Sequence, residues 1–215
     1  AAYRKDITDF LGWKIPQDLK QLSEAASQLP ATYKIGVPLC ATDIWCVFLS
    51  LCAQYAGEKV FNEDGVVVET GRWAIEQIRS WKVFLHKDSF KMNPIQMLEH
   101  MSVADDIVYI PFTFGYTNYA RKKWQNKRIY FSDVPMYGQG GKSSILGGAG
   151  LAISAQTKEL GESLSFLKFI LAADIQKIAY YQNGGQPAHL DAWLDKDDND
   201  DCSGFFYDTL LTMEH

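Results

Sequence analysis

Ser143-Ser144-Ile145-Leu146-Gly147-Gly148-Ala149-Gly150-Leu151-Ala152-Ile153-Ser154, with Gly184-Gly185-Gln186-Pro187-Ala188-His189 downstream, decides how this chain is read. A glycine-rich approach leads into a short apolar strand, Leu151 to Ile153. An amphipathic helix follows, marked by Leu160, Leu164, Leu167 and Leu171, and a second tight glycine turn comes after it. Glycine lets the backbone come close to a ligand or another strand, because it has no Cβ and accepts positive φ. Flexible backbone and planar polar groups thus stand beside packed secondary structure, with no nucleophile among them. That pattern favours binding over catalysis.

At 215 residues the sequence suits one large domain or two small ones. A hydrophobic share of 47% against 22% charged is ordinary for a globular protein. Six Trp and eleven Tyr are many, and flat rings both fill cores and stack on sugars. A net charge of −5 argues against a nucleic-acid surface, which needs clustered cations to replace counterions. The one basic cluster, Arg121-Lys122-Lys123 with Lys127-Arg128, reads as a solvated face. No run approaches the ~20 apolar residues of a membrane span, and Ile44 to Ala56 reads as a buried helix. Ala1-Ala2-Tyr3-Arg4-Lys5 carries no leader pattern. Cys46 and Cys52 are separated by about 9 Å of helical rise, too far for a disulfide. Cys40 and Cys202 complete the set, and free thiols are expected, with a Cys40–Cys46 link left open.

Along the chain, Pro16 fits the first turn of a helix carrying Leu19, Leu22, Ala26 and Leu29. Tyr33 to Leu39 reads as a strand. Thr42 or Asp43 is the expected cap of a helix ended by Gly57. Asn62-Glu63-Asp64-Gly65 marks a hairpin. Ala74, Ile78, Trp81 and Leu85 define a helix, and Pro94 starts another whose inner face holds Ile95, Leu98 and Met101. Ile107 to Ile110 is a buried strand and Ile129 to Phe131 another. Residues 135–148 form a connector. Ile175 and Ile178 belong to a helix closed by Asn183-Gly184, Asp195 to Asp201 is an acidic loop, and Phe205 to Met213 is a last helix. Strands alternating with helices indicate an α/β architecture.

Catalytic and metal motifs fail when tested. Gly141-Lys142-Ser143 has Met136 where a phosphate-binding loop needs glycine. The run from Asp195 has Asp200 and Phe206 where a calcium loop needs Gly and Glu. His86, His100, His189 and His215 share no metal frame, so no metal and no cofactor are expected. Asp105 and Asp106 precede a strand, where neighbouring side chains diverge, and make a poor catalytic pair. The chain is expected not to be an enzyme, although two carboxylates distant in sequence leave a carbohydrate-active enzyme as an alternative.

The aromatics group differently. Trp45 lies one turn into a helix, beside Asp43. Phe112-Thr113-Phe114-Gly115-Tyr116-Thr117-Asn118-Tyr119 follows the carboxyl end of a strand, where α/β folds bind ligands. Rings take the C–H faces of a sugar, while Asp, Asn and Gln take its hydroxyls.

Val108-Tyr109-Ile110-Pro111-Phe112-Thr113-Phe114-Gly115-Tyr116-Thr117-Asn118-Tyr119-Ala120, then Leu146 to Ser154, then Gly184-Gly185-Gln186-Pro187, resemble in that order the family 1 extracellular solute-binding proteins of ABC sugar importers. The resemblance runs from about Tyr3 to Thr212. It implies a type II periplasmic-binding-protein-like α/β fold with lobes joined by hinge crossovers. It also implies a sugar ligand, an ABC permease as partner, and a periplasmic or extracellular location, with a membrane anchor in the full-length protein left open. Ligand-binding residues carried over are Asp43, Trp45, Tyr116, Asn118, Tyr119, Gly148, Gln186, His189 and Trp193. The family runs to roughly twice this length and commonly has Pro-x-Thr-Trp where Pro16-Gln17-Asp18-Leu19 stands. The resemblance thus implies that most of one lobe, expected before Tyr3, and a portion expected after His215 lie outside this sequence. The expected division is residues 1–140 as a C-terminal-lobe-like domain, 141–195 as crossover and partial second lobe, and 196–215 as the returning acidic loop and helix. A shortened lobe acting as a protein-interaction module without ligand is the main alternative.

Overall fold

A computed structural model describes residues 1–138 and 144–213. In chain order it contains β1 (Ala2–Tyr3), α1 (Lys5–Leu11), α2 (Leu19–Ser27), β2 (Lys34–Ile35), α3 (Ala41–Ala56), β3 (Phe61–Asn62), β4 (Gly65–Val66), α4 (Val68–Trp81), α5 (Pro94–Val103), β5 (Ile107–Ile110) and β6 (Tyr130–Phe131). After the crossover come α6 (Leu160–Ile170), a π-helical turn (Ile175–Tyr180), α7 (Leu190–Trp193), α8 (Lys196–Asp201) and α9 (Phe205–Met213).

The continuous apolar run of β5 is what a strand covered on both faces requires, and all four of its residues are buried. It sits inside a four-stranded sheet of order β2-β5-β1-β6. β2 runs parallel to it, with Ile35 opposite Tyr109. β1 is antiparallel to both neighbours, placing Ala2 opposite Ile110 and Phe131. Tyr109 packs into a core with Leu22, Leu51, Ala74 and Trp81 from α2, α3 and α4. Ile107 and Ile110 pack with Met97, Leu98 and Met101 of α5. A third cluster joins Ala120, Tyr181, Cys202, Phe205 and Phe206. α9 thereby returns to the sheet, with the Phe205 ring edge-on to Phe131 at 4.9 Å.

Local chemistry sets the boundaries. Asn93 and Gln96 exchange hydrogen bonds with each other's backbone N–H, a capping box before Pro94. Gly57 ends α3 at φ +57°. Several expectations need correction. Pro16 precedes α2, whose cap is Asp18, accepting the Gln21 N–H at 2.7 Å. α3 is entered through Cys40, with no side-chain cap from Thr42 or Asp43. Leu85 lies beyond α4 and bridges to Ile35, and Ile95 faces solvent. Leu151 to Ile153 form no strand, since no neighbour pairs with them. The acidic run is helical, because Asp195 caps α8 and Asp197 suits its positive end. The basic cluster is only partly solvated: Arg128 donates to the carbonyls of Ala120 and Asp201, and Arg121 to those of Tyr181 and Gly185. All four cysteines are free. Gly141, Lys142 and Ser143 lie outside the described residues. Among the described residues no helix is long and apolar enough to cross a membrane.

α6 differs from the rest. No residue of it is buried, and Phe166 and Phe169 are each 58% exposed.

Candidate functional site

The parallel strands β2 and β5 deliver two chain segments to one end of the sheet. From β2 the chain runs through Pro38 to α3, and from β5 it runs through Pro111 into the aromatic stretch. Asp43 sits in the first turn of α3, where the helix dipole favours a negative charge. Asp43, Cys46, Val47 and Ser50 recur at i, i+3, i+4 and i+7, which aligns them on one face. That face lines a cavity of about 50 Å³, completed by Pro38, Pro94, Phe112, Thr113, Phe114, Val134, Ser144 and Ile145. Ser50 accepts the Ile145 N–H at 3.0 Å and so ties the crossover to α3. Phe114 lies against Gly147 so closely that a Cβ there would be 2.5 Å from the ring.

The cavity's polar lining is one carboxylate, two serines, a threonine and a thiol, and no Lys or Arg among the described residues lines it. The Cys40 thiol donates to Asp43 Oδ2 at 2.9 Å, and this bond, with burial and the carboxylate charge, pushes its pKa up. Burial, then the Asp43 charge, pushes Cys46 up as well. Neither thiol is activated as a nucleophile, which needs a depressed pKa or an adjacent base. The arrangement accepts hydroxyl protons and covers apolar faces, and has no cation to neutralise an anionic ligand.

The expected site residues separate into groups. Tyr116 is half-buried, packs against the cluster of Met97 and Tyr119 and does not line the cavity; its phenol is pushed up by burial and then by the charge of Asp43. Gln186 Oε1 accepts from the Thr117 N–H at 3.0 Å and its Oγ1 at 2.9 Å, and Gln186 Nε2 donates to the Gly115 carbonyl at 3.4 Å. Gln186 thus pins the backbone on both sides of Tyr116. Asn118 and Gly148 are exposed. Trp45 is also exposed, at 53%, and stacks on Phe48 with centroids 5.3 Å apart, outside the cavity. Tyr119 is core: its ring lies edge-on to Trp124 at 4.7 Å and its hydroxyl donates to the Ile95 carbonyl. His189 Nδ1 accepts the Asp191 N–H and caps α7. Trp193 donates to the Pro187 carbonyl at 2.6 Å and stacks on Phe206. Sequence reasoning missed Ser50, Cys46 and Ile145, and the helical spacing from Asp43 was the available signal for the first two; Phe112 and Phe114 belong to the aromatic stretch it singled out but not to the residues carried over.

At the other end of β5, His86, His100 and Asp106 bring three metal-ligating groups together. Asp105 turns away to pair with Arg4 at 2.7 Å, so the two neighbouring carboxylates diverge.

No family model matches the sequence. Solved structures match its fold. An ABC transporter solute-binding protein from Agrobacterium radiobacter K84, in complex with ribitol, matches over 99% of this chain with a TM-score of 0.79 and 18% identity. Maltose-bound MalE3 of T. maritima matches over 99% with a TM-score of 0.77, also at 18% identity. A chitin oligosaccharide binding protein matches over 99% with a TM-score of 0.67 at 17% identity. The chain spans 56%, 57% and 56% of those three proteins. Its α/β fold is therefore that of the ABC-transporter solute-binding proteins, over little more than half their length.

Proposed function

We propose that this chain is part of a non-catalytic carbohydrate-binding protein serving ABC-type import, with its ligand seated beyond the carboxyl ends of β2 and β5. The lining of the cavity carries the reading. Asp43, Ser50 and Thr113 offer acceptors for hydroxyl groups, Phe112 and Phe114 offer apolar faces, and no described cation lines it. Ribitol, maltose and chitin oligosaccharide, the ligands named for the matched proteins, are all neutral and rich in hydroxyls. In this reading Asp43 accepts hydroxyl hydrogen bonds and Tyr116 presents its ring. Trp45, Asn118, Tyr119, Gly148, Gln186, His189 and Trp193, none of which lines the cavity, are further ligand contacts in this reading. The division into residues 1–140, 141–195 and 196–215 belongs to the same reading, as do a periplasmic or extracellular location and a permease partner.

An amide-resolved NMR titration with polyols, monosaccharides and oligosaccharides tests this. Saturable shifts are expected at Asp43 and Tyr116. Asp43→Asn removes a charged acceptor, an interaction of ~1.5–3 kcal/mol, so affinity should fall roughly 10- to 100-fold. Wild-type affinity in both Asp43→Asn and Tyr116→Ala would remove the site assignment.

One observation favours a second reading, a protein-interaction module without ligand: α6 presents its apolar residues to solvent. A mass that rises with concentration in light scattering, with no response to any sugar, would select it.

A further inference from the structure

The end of the sheet opposite Asp43 holds a cluster that the sugar reading does not use. Asp106 leads into β5, and its backbone carbonyl accepts the Lys34 N–H at 2.7 Å. Its carboxylate meets two imidazoles, His86 Nε2 at 3.0 Å on Oδ2 and His100 Nε2 at 2.7 Å on Oδ1. His86 is only 4% exposed and is anchored to the sheet, donating its backbone N–H to the Ile35 carbonyl at 2.8 Å. His100 belongs to the last turn of α5 and is partly open to solvent. The two rings lie 5.0 Å apart. One ligating atom from each residue falls within 4.8 Å of the others, the sole such group of His, Cys, Asp and Glu among the described residues.

We propose that His86 Nε2, His100 Nε2 and a carboxylate oxygen of Asp106 form a binding site for a divalent transition cation of the zinc class. Two imidazoles and a carboxylate are the donor set such ions take, and three protein ligands leave a position for water. Bonds of ~2.0–2.2 Å at tetrahedral angles put ligand atoms about 3.3 Å apart. The two imidazoles meet different oxygens of Asp106, so with either oxygen as ligand one of the three separations stands at 3.0 or 2.7 Å, and all three lie within 4.8 Å. The others close by rotation of His100 and Asp106, both partly exposed, around the fixed His86.

The proton inventory is consistent. His86 Nδ1 accepts the Asp88 N–H at 3.3 Å, so Nε2 carries the ring proton and donates to Asp106. His100 Nε2, 2.7 Å from Asp106 Oδ1, carries a ring proton in the same way. Coordination at the two Nε2 atoms displaces both protons, each to its ring's Nδ1 or to solvent, and at His86 a proton on Nδ1 takes the place of the hydrogen bond from the Asp88 N–H. The Asp88 carboxylate is itself paired with Lys91 at 3.0 Å. Bound there, the ion joins three consecutive elements: the turn after α4, the end of α5 and the entry to β5.

The test is a calorimetric titration of the chain with Zn2+ at neutral pH, alongside histidine-ring NMR of the unsubstituted protein. One equivalent should bind, with the nitrogen signals of His86 and His100 shifting together. His100→Gln and Asp106→Asn, both at partly exposed positions, should each weaken Zn2+ at least ~10-fold. Lys20→Gln, at an exposed position on α2 away from the cluster, should leave it unchanged. Absence of Zn2+ binding at millimolar concentration, or unshifted His86 and His100 rings at saturation, would overturn the proposal and leave the cluster as a hydrogen-bonded tie. Equal affinity in the two site variants, with folded spectra, would overturn it as well.

Discussion

Replacing Asp198 with Asn is expected to stabilise the protein at neutral pH and to change little in acid. Asp198 lies in α8, 8% exposed, and its Oδ2 has no hydrogen-bond partner. Burial first, and the nearby charge of Asp195 second, push its pKa from the ordinary 3.8 up to about 6; Arg121 and Lys177 oppose that rise. An acid whose folded pKa is raised binds more protons folded than unfolded between the two values. Stability therefore falls as pH climbs from about 4 to about 6 and stays lowered above that. A rise of about two pH units corresponds to roughly 3 kcal/mol when complete. Asn carries no such cost, so the variant should gain up to ~3 kcal/mol over wild type at pH ~7.5, less any packing it loses. Below about pH 4 the difference should vanish. Urea denaturation followed by tryptophan fluorescence, on both proteins across this range, gives the difference directly. Other titrating groups cancel in the comparison. A stability difference that stays constant from acid to neutral pH would refute the claim that burial of this carboxylate opposes folding.

Two further substitutions probe the frame. Arg4 is buried and donates to the carbonyls of Met101 and Ala104 while pairing with Asp6 and Asp105. Arg4→Met should lower stability by about 2–3 kcal/mol, nearly all from the buried carbonyl bonds, since partly exposed carboxylates contribute little; a denaturation midpoint that moves with wild type as salt is raised checks this. Gly36 has no room for a side chain, because a Cβ would stand 2.7 Å from Met97 Sδ and 3.0 Å from Ile107 Cγ2. Gly36→Ala should cost about 1–3 kcal/mol, and the double variant with Met97→Ala should show less than the sum of the two single losses in the same assay.

Much of the frame was legible because short-range signals agree with the tertiary contacts. Ile107 to Ile110 reads as a doubly covered strand and is one. Gly57, Pro94 and Asn62 to Gly65 punctuate the chain where their backbone chemistry requires. Leu151 to Ile153 has the composition of a strand, but a strand exists only by pairing, and composition says nothing about partners. The run Asp195 to Asp201 looks too acidic to fold, yet its first Asp is a cap and Asp197 favours a helix start. α1 went unread because its apolar residues are few and Phe10 faces solvent. In the candidate site, Asp43 is the one expected residue that lines the cavity, and its place after a strand is what made it legible. Trp45 was grouped with Asp43 by proximity in sequence, although two helical residues are about 200° apart around the axis. The His86, His100 and Asp106 cluster leaves no linear trace, since its members come from three separate elements.

The position of β1 has a consequence for how the chain is made. Ala2 pairs with Ile110 on one side and Phe131 on the other. At ~5–20 residues per second, Phe131 follows Ala2 from the ribosome by roughly 6 to 26 s. Closing a loop of that size costs on the order of 4 kcal/mol in chain entropy before any strand contact compensates. The α2, α3 and α4 layer can collapse locally in the meantime, but the sheet beneath it stays open in the middle. The first segment of this stretch to be synthesised is thus among the last to be seated, and until then the unpaired edges of β5 and β6 are surfaces for a chaperone to shield.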